Sequence, residues 1–292
     1  IIPIVTYGGE TWDPRRKDID FANKILSDIL KRILMVSSST PHEVLYMETG
    51  MMDIEHIIQK NKYGMLCRLE ATKNDLLTQT LNSKAKNTWK TTTEKKMTEV
   101  GLDPLEMYLS SKGIRKESIK KAVSMQFKSI TENNIEVNNK SKPKHLKEGI
   151  NEWDVGKRPM YINKLNRLES SLIFKARTRM LDVKNNFRGK YRDVNCRGCK
   201  RATETQEHIL EYCEGIHLND STKVNVNDFF NEDLCTLRKA AHNIKKILDR
   251  IEQSEAVLPG TPVMSLRPGT RVCTRQTNYN QKACLIGITT TM

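Results

Sequence analysis

Phe21-Ala22-Asn23-Lys24-Ile25-Leu26-Ser27-Asp28-Ile29-Leu30-Lys31-Arg32-Ile33-Leu34 places apolar pairs at 25–26, 29–30 and 33–34. Pairs four residues apart share one side of a helix but straddle both faces of a strand, so the stretch reads as an amphipathic helix over 19–35, with Lys24, Lys31 and Arg32 off the stripe. Ser37-Ser38-Ser39-Thr40-Pro41 ends it and starts another, with Thr40 expected as N-cap and Pro41 at the first helical position. Gly50 closes that second helix, and Ile54, Ile57, Ile58, Met65 and Leu69 carry a third period. Ile1 to Val5 is a β-favouring run before Gly8-Gly9, so residues 1–80 are expected as a helical bundle entered through an extended strip. Such stripes serve core packing, and none of these residues is assigned a chemical role.

The same test applied outward predicts helices at Pro104 to Leu109, at Glu117 to Ile130, at Ile162 to Leu181 and at Asp233 to Ile251. Residues 81–150 are otherwise polar and are expected as a linker with short helices, with 131–150 as the best boundary. Residues 151–220 then form a basic helix leading into a small cysteine and histidine module, and 221–258 a C-terminal helix. After Leu258-Pro259-Gly260 no period is sustained, and 259–292 is expected as an irregular tail. The expected fold class is mainly α.

Composition narrows the function classes. Of 292 residues only 37% are hydrophobic and 6% aromatic, which is thin for one large core. No apolar run reaches about 18 residues, which excludes a membrane-spanning helix. Lys plus Arg number 49 against 35 Asp plus Glu, and the resulting +14 points to a polyanionic partner. The chain opens Ile1-Ile2-Pro3, without an initiator Met or a signal-peptide pattern, and so reads as a piece of something longer.

Four of the cysteines stand isolated, at Cys67, Cys235, Cys273 and Cys284, and read as buried or free thiols. The other three cluster as Cys196-Arg197-Gly198-Cys199, then His208, then Cys213, a C-x2-C-x8-H-x4-C spacing. A two-residue gap lets both thiolates of one turn reach a single ion at roughly 2.3 Å, and one histidine with three thiolates makes a tetrahedral site. Full protein ligation leaves no position for activated water, so a zinc here is expected to be structural, one per chain. Thr203 with Gln206 resembles a capping box that starts a helix carrying His208, and His217 competes as a further ligand.

Residues 157–192 hold eleven Lys or Arg against only Glu169 and Asp182, so most of the excess charge sits just before the metal module. Lys164, Arg167, Lys175, Arg177, Arg188, Lys190 and Arg192 are the candidate nucleic-acid-binding residues, since phosphate contacts need cations spaced along one face. Arg179 lies beside the apolar stripe, placed to pair with an acid or cap the helix end. Tyr191 and Trp153 are candidates for stacking on unpaired bases. The acids Asp18, Asp20, Glu43, Glu48, Asp53 and Glu55 are scattered, with no adjacent Asp pair, nucleophilic triad or phosphate loop, so no catalytic residue is assigned.

Two blocks carry a specific resemblance. Ile2-Pro3-Ile4-Val5-Thr6-Tyr7-Gly8-Gly9-Glu10-Thr11-Trp12, the Ile25 to Leu34 helix, Thr40-Pro41 and Leu45-Tyr46-Met47-Glu48-Thr49-Gly50 resemble, in that order, the segment that follows the palm of non-LTR (LINE-like) retrotransposon reverse transcriptases and leads into the helical thumb. Phe174-Lys175-Ala176-Arg177-Thr178-Arg179-Met180 with Cys196, Cys199, Glu204-Thr205, His208-Ile209-Leu210 and Cys213 resembles the zinc segment near the C-terminus of those polyproteins. The resemblance covers roughly residues 1–80 and 155–215. It implies a thumb-like bundle, a linker and a CCHC zinc region that grip template and primer or target, with RNA, DNA and the rest of the polyprotein as partners and the nucleus or cytoplasm as location.

The polymerase carboxylates of that family lie in a Tyr/Phe-x-Asp-Asp turn, which occurs nowhere in the chain, and no Pro-Asp nuclease signature follows Cys213. The resemblance therefore implies a segment without a catalytic centre of its own. Two other readings stay open: a protein-docking zinc adapter derived from such an element, and a metal-dependent nuclease whose acids are dispersed in the sequence.

Overall fold

In the computed structural model, which describes residues 2–256 apart from 12, 13, 73, 82–87, 140, 151, 152, 188, 192, 218 and 219, helices follow one another and no strand forms among the described residues. The mainly α expectation therefore holds. Residues 1–255 make one compact unit, and residues 256–292 fall in a second, described only at Ala256. The expected tail over 259–292, with Cys273 and Cys284, lies outside the described residues.

The expected extended strip is instead a single helical turn, α1 (Ile2–Val5), closed by the Thr6 amide and hydroxyl donating to Ile2 O. The turn closes on Ile2 O within the segment, whereas a strand needs a neighbouring strand, and none forms among the described residues. α2 (Arg16–Leu34) follows the predicted stripe, with Leu26, Leu30 and Leu34 buried, and ends on Met35 in the left-handed region. Lys31, expected off the stripe, is buried with its Nζ donating to Ser38 O. α3 (His42–Thr49) starts one residue later than predicted: Pro41 is its N-cap, and buried Thr40 donates its hydroxyl to Ser37 O at 2.7 Å. Gly50 ends α3 at φ +62°, and a Cβ there would lie 2.2 Å from Lys157 O, so only glycine fits this crossing of two chain segments. α4 (Ile54–Glu70) is capped by Asp53, whose carboxylate accepts the His56 amide.

The predicted polar linker is the largest departure. After α5 (Asp75–Leu81), residues 88–149 build α6 (Trp89–Glu99), α7 (Pro104–Leu109), the long α8 (Lys112–Val137) and α9 (Ser141–Gly149). Ile119, Val123, Phe127, Thr131 and Ile135 are all buried and recur every fourth residue, so α8 extends into the expected boundary as far as Val137 and packs along α4. The expected helix at Glu117 to Ile130 is the middle of α8, and its narrow buried stripe among Lys, Asn and Glu shows neither end in the sequence. Thr131 is tolerated inside because its hydroxyl donates to Phe127 O. The Phe127 ring meets His56, Tyr46 and Trp153 edge-on at 5.0, 5.5 and 6.4 Å. Trp153 is thus a core residue, its Nε1 donating to Glu132, and is not available for base stacking.

The single basic helix predicted from Ile162 to Leu181 is two, α10 (Met160–Lys164) and α11 (Arg167–Arg177). Asn166 and Glu169 form a reciprocal capping box that starts α11 afresh. α12 (Val226–Phe230) and α13 (Leu234–Ala256) complete the order, and Asp233 caps α13 by accepting the Thr236 amide.

α3, α10, α11 and α12 meet at a buried ion pair. Arg177 Nε donates to Glu48 Oε1 at 2.7 Å, its Nη1 donates to Phe229 O, and the Tyr161 hydroxyl donates to Glu48 Oε2. The guanidinium also lies 4.7 Å from the Phe230 ring centroid and 5.3 Å from that of Tyr161. Burial opposes the Arg177 charge, but Glu48 outweighs it and holds the guanidinium protonated. Glu48 is wholly buried, so removing its cation strands a carboxylate in the core. Arg177→Met is expected to lower stability by about 3–5 kcal/mol and the thermal midpoint by roughly 10 °C. The double variant Glu48→Gln/Arg177→Met should recover about half of that loss in circular-dichroism melts.

Candidate metal centre

Past α11, Lys184–Phe187 forms one 3-10 turn, and a tight hairpin follows in which Asn195 bridges Thr203, Cys196 N donates to Ala202 O and Glu204 N to Val194 O. The turn between holds Cys196 and Cys199 on one side. Gly198 is required inside the gap, because a Cβ there would lie 2.6 Å from Ile216 Cγ1 and 3.1 Å from Cys213 Sγ. A helical segment then carries His208, but Thr205 caps it, its hydroxyl accepting the His208 amide at 3.1 Å. Thr203 sits in the bridge instead, and the Gln206 side chain donates to Ala176 O at the end of α11, so the capping box expected from Thr203 and Gln206 does not form. The turn His208–Tyr212 is wound in the wide π form, in which residues five apart sit one turn apart. His208 and Cys213 are such a pair, and the winding brings them to the same side.

Cys196, Cys199, His208 and Cys213 place one donor atom each within 4.8 Å of all the others, close enough to hold one metal ion. Cys196 Sγ lies 3.5 Å from Cys213 Sγ, and Cys199 Sγ 3.3 Å from His208 Nε2. Ligands about 2.3 Å from a tetrahedral centre stand about 3.8 Å apart, so these edges and the Cys3His donor set are compatible with zinc. Cys196 and Cys213 are buried among Ile209, Leu210 and Ile216, while Cys199 and His208 form the more open edge. Burial and the neighbouring Cys196 push the Cys213 thiol up to about 12. Cys199 is partly desolvated too, yet the Arg201 and Ala202 amides and the His208 ring hold its thiol down to about 6. His217 lies outside the group, its ring nitrogens 2.9 Å from Ile209 O and 3.2 Å from Thr222 Oγ1.

A residue pair to which sequence reasoning gave no role supports the site. Arg197, inside the Cys-x2-Cys gap, donates from Nε and Nη2 to the wholly buried Glu204 at 2.9 and 2.7 Å, and its Nη2 also reaches Asp182 O. Glu204 further accepts the Arg197 and Lys184 amides, and although burial opposes its charge, Arg197 holds its carboxyl below the usual range. The signal in the sequence was a charged residue beside Gly198 inside the gap, with an acid seven positions on.

The expected nucleic-acid-binding set is dispersed. Lys164 is exposed at the end of α10. Arg167 donates to Ile33 O and Arg32 O, among the last carbonyls of α2. Lys175 is half-buried, its pKa lowered by burial. Lys190 pairs with Asp182 at 3.0 Å and covers the Tyr191 ring. Arg177 is a correction: locked to Glu48 in the core, it has no face for a phosphate. Arg188 and Arg192 lie outside the described residues. Arg179 does pair with an acid, Glu207, at 2.8 Å.

No family model matches the chain, and no curated protein or solved structure matches it. No helix among the described residues is long and apolar enough to cross a membrane.

Cys213→Ser or His208→Ala should abolish one equivalent of bound zinc in metal analysis, whereas His217→Ala should leave it in place. Glu204→Gln should keep the stoichiometry but weaken zinc affinity about 10–100-fold in chelator competition, because the ligand turn loses the anchor of its Arg197.

Proposed function

We propose that the chain is a zinc-stabilised nucleic-acid-binding segment of a non-LTR-type reverse transcriptase, gripping template and primer or target without a catalytic centre of its own. One observation carries the reading. Glu48 belongs to the first block that carries the family resemblance and Arg177 to the second, and the two are hydrogen-bonded in one core across 129 positions. Blocks that belong to one machine are expected to fold against each other, whereas chance likenesses have no reason to share a buried ion pair. The Cys3His group and the +14 charge are what such a segment needs: a metal to hold a small module rigid and cations for phosphates.

In this reading the zinc orders the module at the end of α11 and takes no part in chemistry. RNA, DNA and the remainder of the polyprotein are the partners, and the site of action is the nucleus or the cytoplasm.

The test uses the full chain, purified under reducing conditions, as wild type and as Cys199→Ser. Zinc content and affinity for single-stranded RNA and duplex DNA are followed against salt. One zinc per chain, lost in the variant, and a steeply salt-dependent affinity of the wild type are expected. Affinity for neither nucleic acid, or affinity indifferent to salt, overturns the reading.

A further inference from the structure

A cleft of about 600 Å³ lies between α4 and α8 and is lined also by Gly50, Val155 and Gly156. Lys60 and Arg68 from α4, Lys112, Lys116 and Lys120 from α8, and Arg158 from the loop all face it. None of the six makes an ion pair within the described residues. Glu10 is the one acid among the described residues that line it. This contrasts with the stretch before the metal module, where Arg177, Arg179, Lys184 and Lys190 are all paired with acids.

Three further features act against stability here. Lys60 is half-buried, and its pKa is lowered by burial and by Lys120 and Lys116 beside it. Gly64 occupies the middle of α4, where glycine is the poorest helix former after proline, yet a Cβ there would meet nothing nearer than Arg68 Nη1 at 3.8 Å. Packing therefore does not demand the glycine, and its effect is to keep the cleft open. Ser124 Oγ lines the wall, shielded from solvent and without a hydrogen-bond partner.

The arrangement is linear. Lys112, Lys116 and Lys120 recur at one-turn spacing over about 12 Å of helix, and Lys60 and Arg68 span a similar length on the facing wall. A compact anion would need convergent donors, whereas two facing rows match a strand with a charge at every unit. The floor between them is aliphatic, Met52, Ile57, Ile119 and Val155, and none of the described lining residues is aromatic. Binding through phosphates without base stacking follows, and hence without sequence preference.

We infer that the cleft between α4 and α8 is the principal phosphate-binding surface of this chain, holding the backbone of a nucleic-acid strand. The inference rests on the nucleic-acid reading above and relocates its contact surface.

The test measures anisotropy of a labelled 20-nucleotide RNA with the full zinc-loaded chain. The variants are Lys60→Gln/Lys116→Gln/Lys120→Gln, Lys164→Gln/Arg167→Gln/Lys190→Gln, and Gly64→Leu, which fills the cleft without changing charge. The cleft triple should bind about 30-fold more weakly near 0.1 M salt and flatten the slope of log K against log salt by about 2. It should keep its zinc, and its melting temperature should not fall, because like charges have been removed. Gly64→Leu should weaken binding in the same direction, and the second triple should stay near wild type.

If wild type binds and both cleft variants bind equally well, or if the loss falls on the second triple, the cleft assignment is overturned while the function stands. If wild type itself shows no salt-dependent binding, the function fails first. Displacement of the RNA by poly-glutamate at equal charge concentration would make the cleft an acidic-peptide site and overturn its assignment to nucleic acid.

Discussion

A carboxylate with no solvent exposure and the guanidinium that neutralises it organise this protein. Glu48 closes the short helix α3 and Arg177 ends α11, and each is a liability in the core without the other. Their pairing brings Tyr161, Phe229 and Phe230 around one charge pair, so that α10 and α12 are placed by the same few atoms. Gly50, two residues past Glu48, holds the next constraint: its amide plane lies against the 156–157 backbone too closely for a side chain, with Gly156 N donating to Gly50 O at 2.7 Å. The N-terminal helices and the segment before the metal module are therefore fastened at two adjacent points.

The metal module repeats this logic on a smaller scale. Arg197 and Glu204 form a second buried pair inside the cysteine hairpin, and the Lys184 amide ties that pair to the segment leaving α11. Gln206 pins the same module to the last turn of α11 through Ala176 O. Hydrogen bonds thus tie the segments that carry the four donors to α11, and a metal ion would bind their deprotonated thiolates. In both places an arginine from one segment satisfies a glutamate from another, which is directional in a way that apolar packing is not.

Charge balance sets where the chain can meet a polyanion. The stretch from 157 to 192 is the most basic in sequence, but five of its cations, Arg167, Arg177, Arg179, Lys184 and Lys190, are held by the carbonyls of α2, Glu48, Glu207, Asp193 and Asp182. Lys112, Lys116 and Lys120 of α8, in a segment whose composition suggests a linker, are brought beside Lys60 and Arg68 of α4 and make no ion pair among the described residues. Local charge density along a chain and surface potential on a fold are different quantities, because acids distant in sequence decide which cations remain unneutralised.

The helices with broad apolar stripes, α2, α4 and α13, were legible from the sequence because a 3.6-residue period needs only local information, and the four donors Cys196, Cys199, His208 and Cys213 because ligation demands particular residue types at short spacing. Less was legible where the information is non-local or shared. The period of α8 marks only its middle, Glu117 to Ile130, and not its ends, and the break at Asn166 depends on a two-residue cap that apolar periodicity ignores. Arg177 is indistinguishable in sequence from Lys164: both are cations on a basic stretch, and only the approach of Glu48, 129 positions away, buries one and leaves the other in solvent. Sequence by itself thus determined the helical class and the metal donors, which depend on neighbours along the chain. Only the tertiary structure decided which charges are spent in the core and which face a cleft, because that depends on partners that meet after folding.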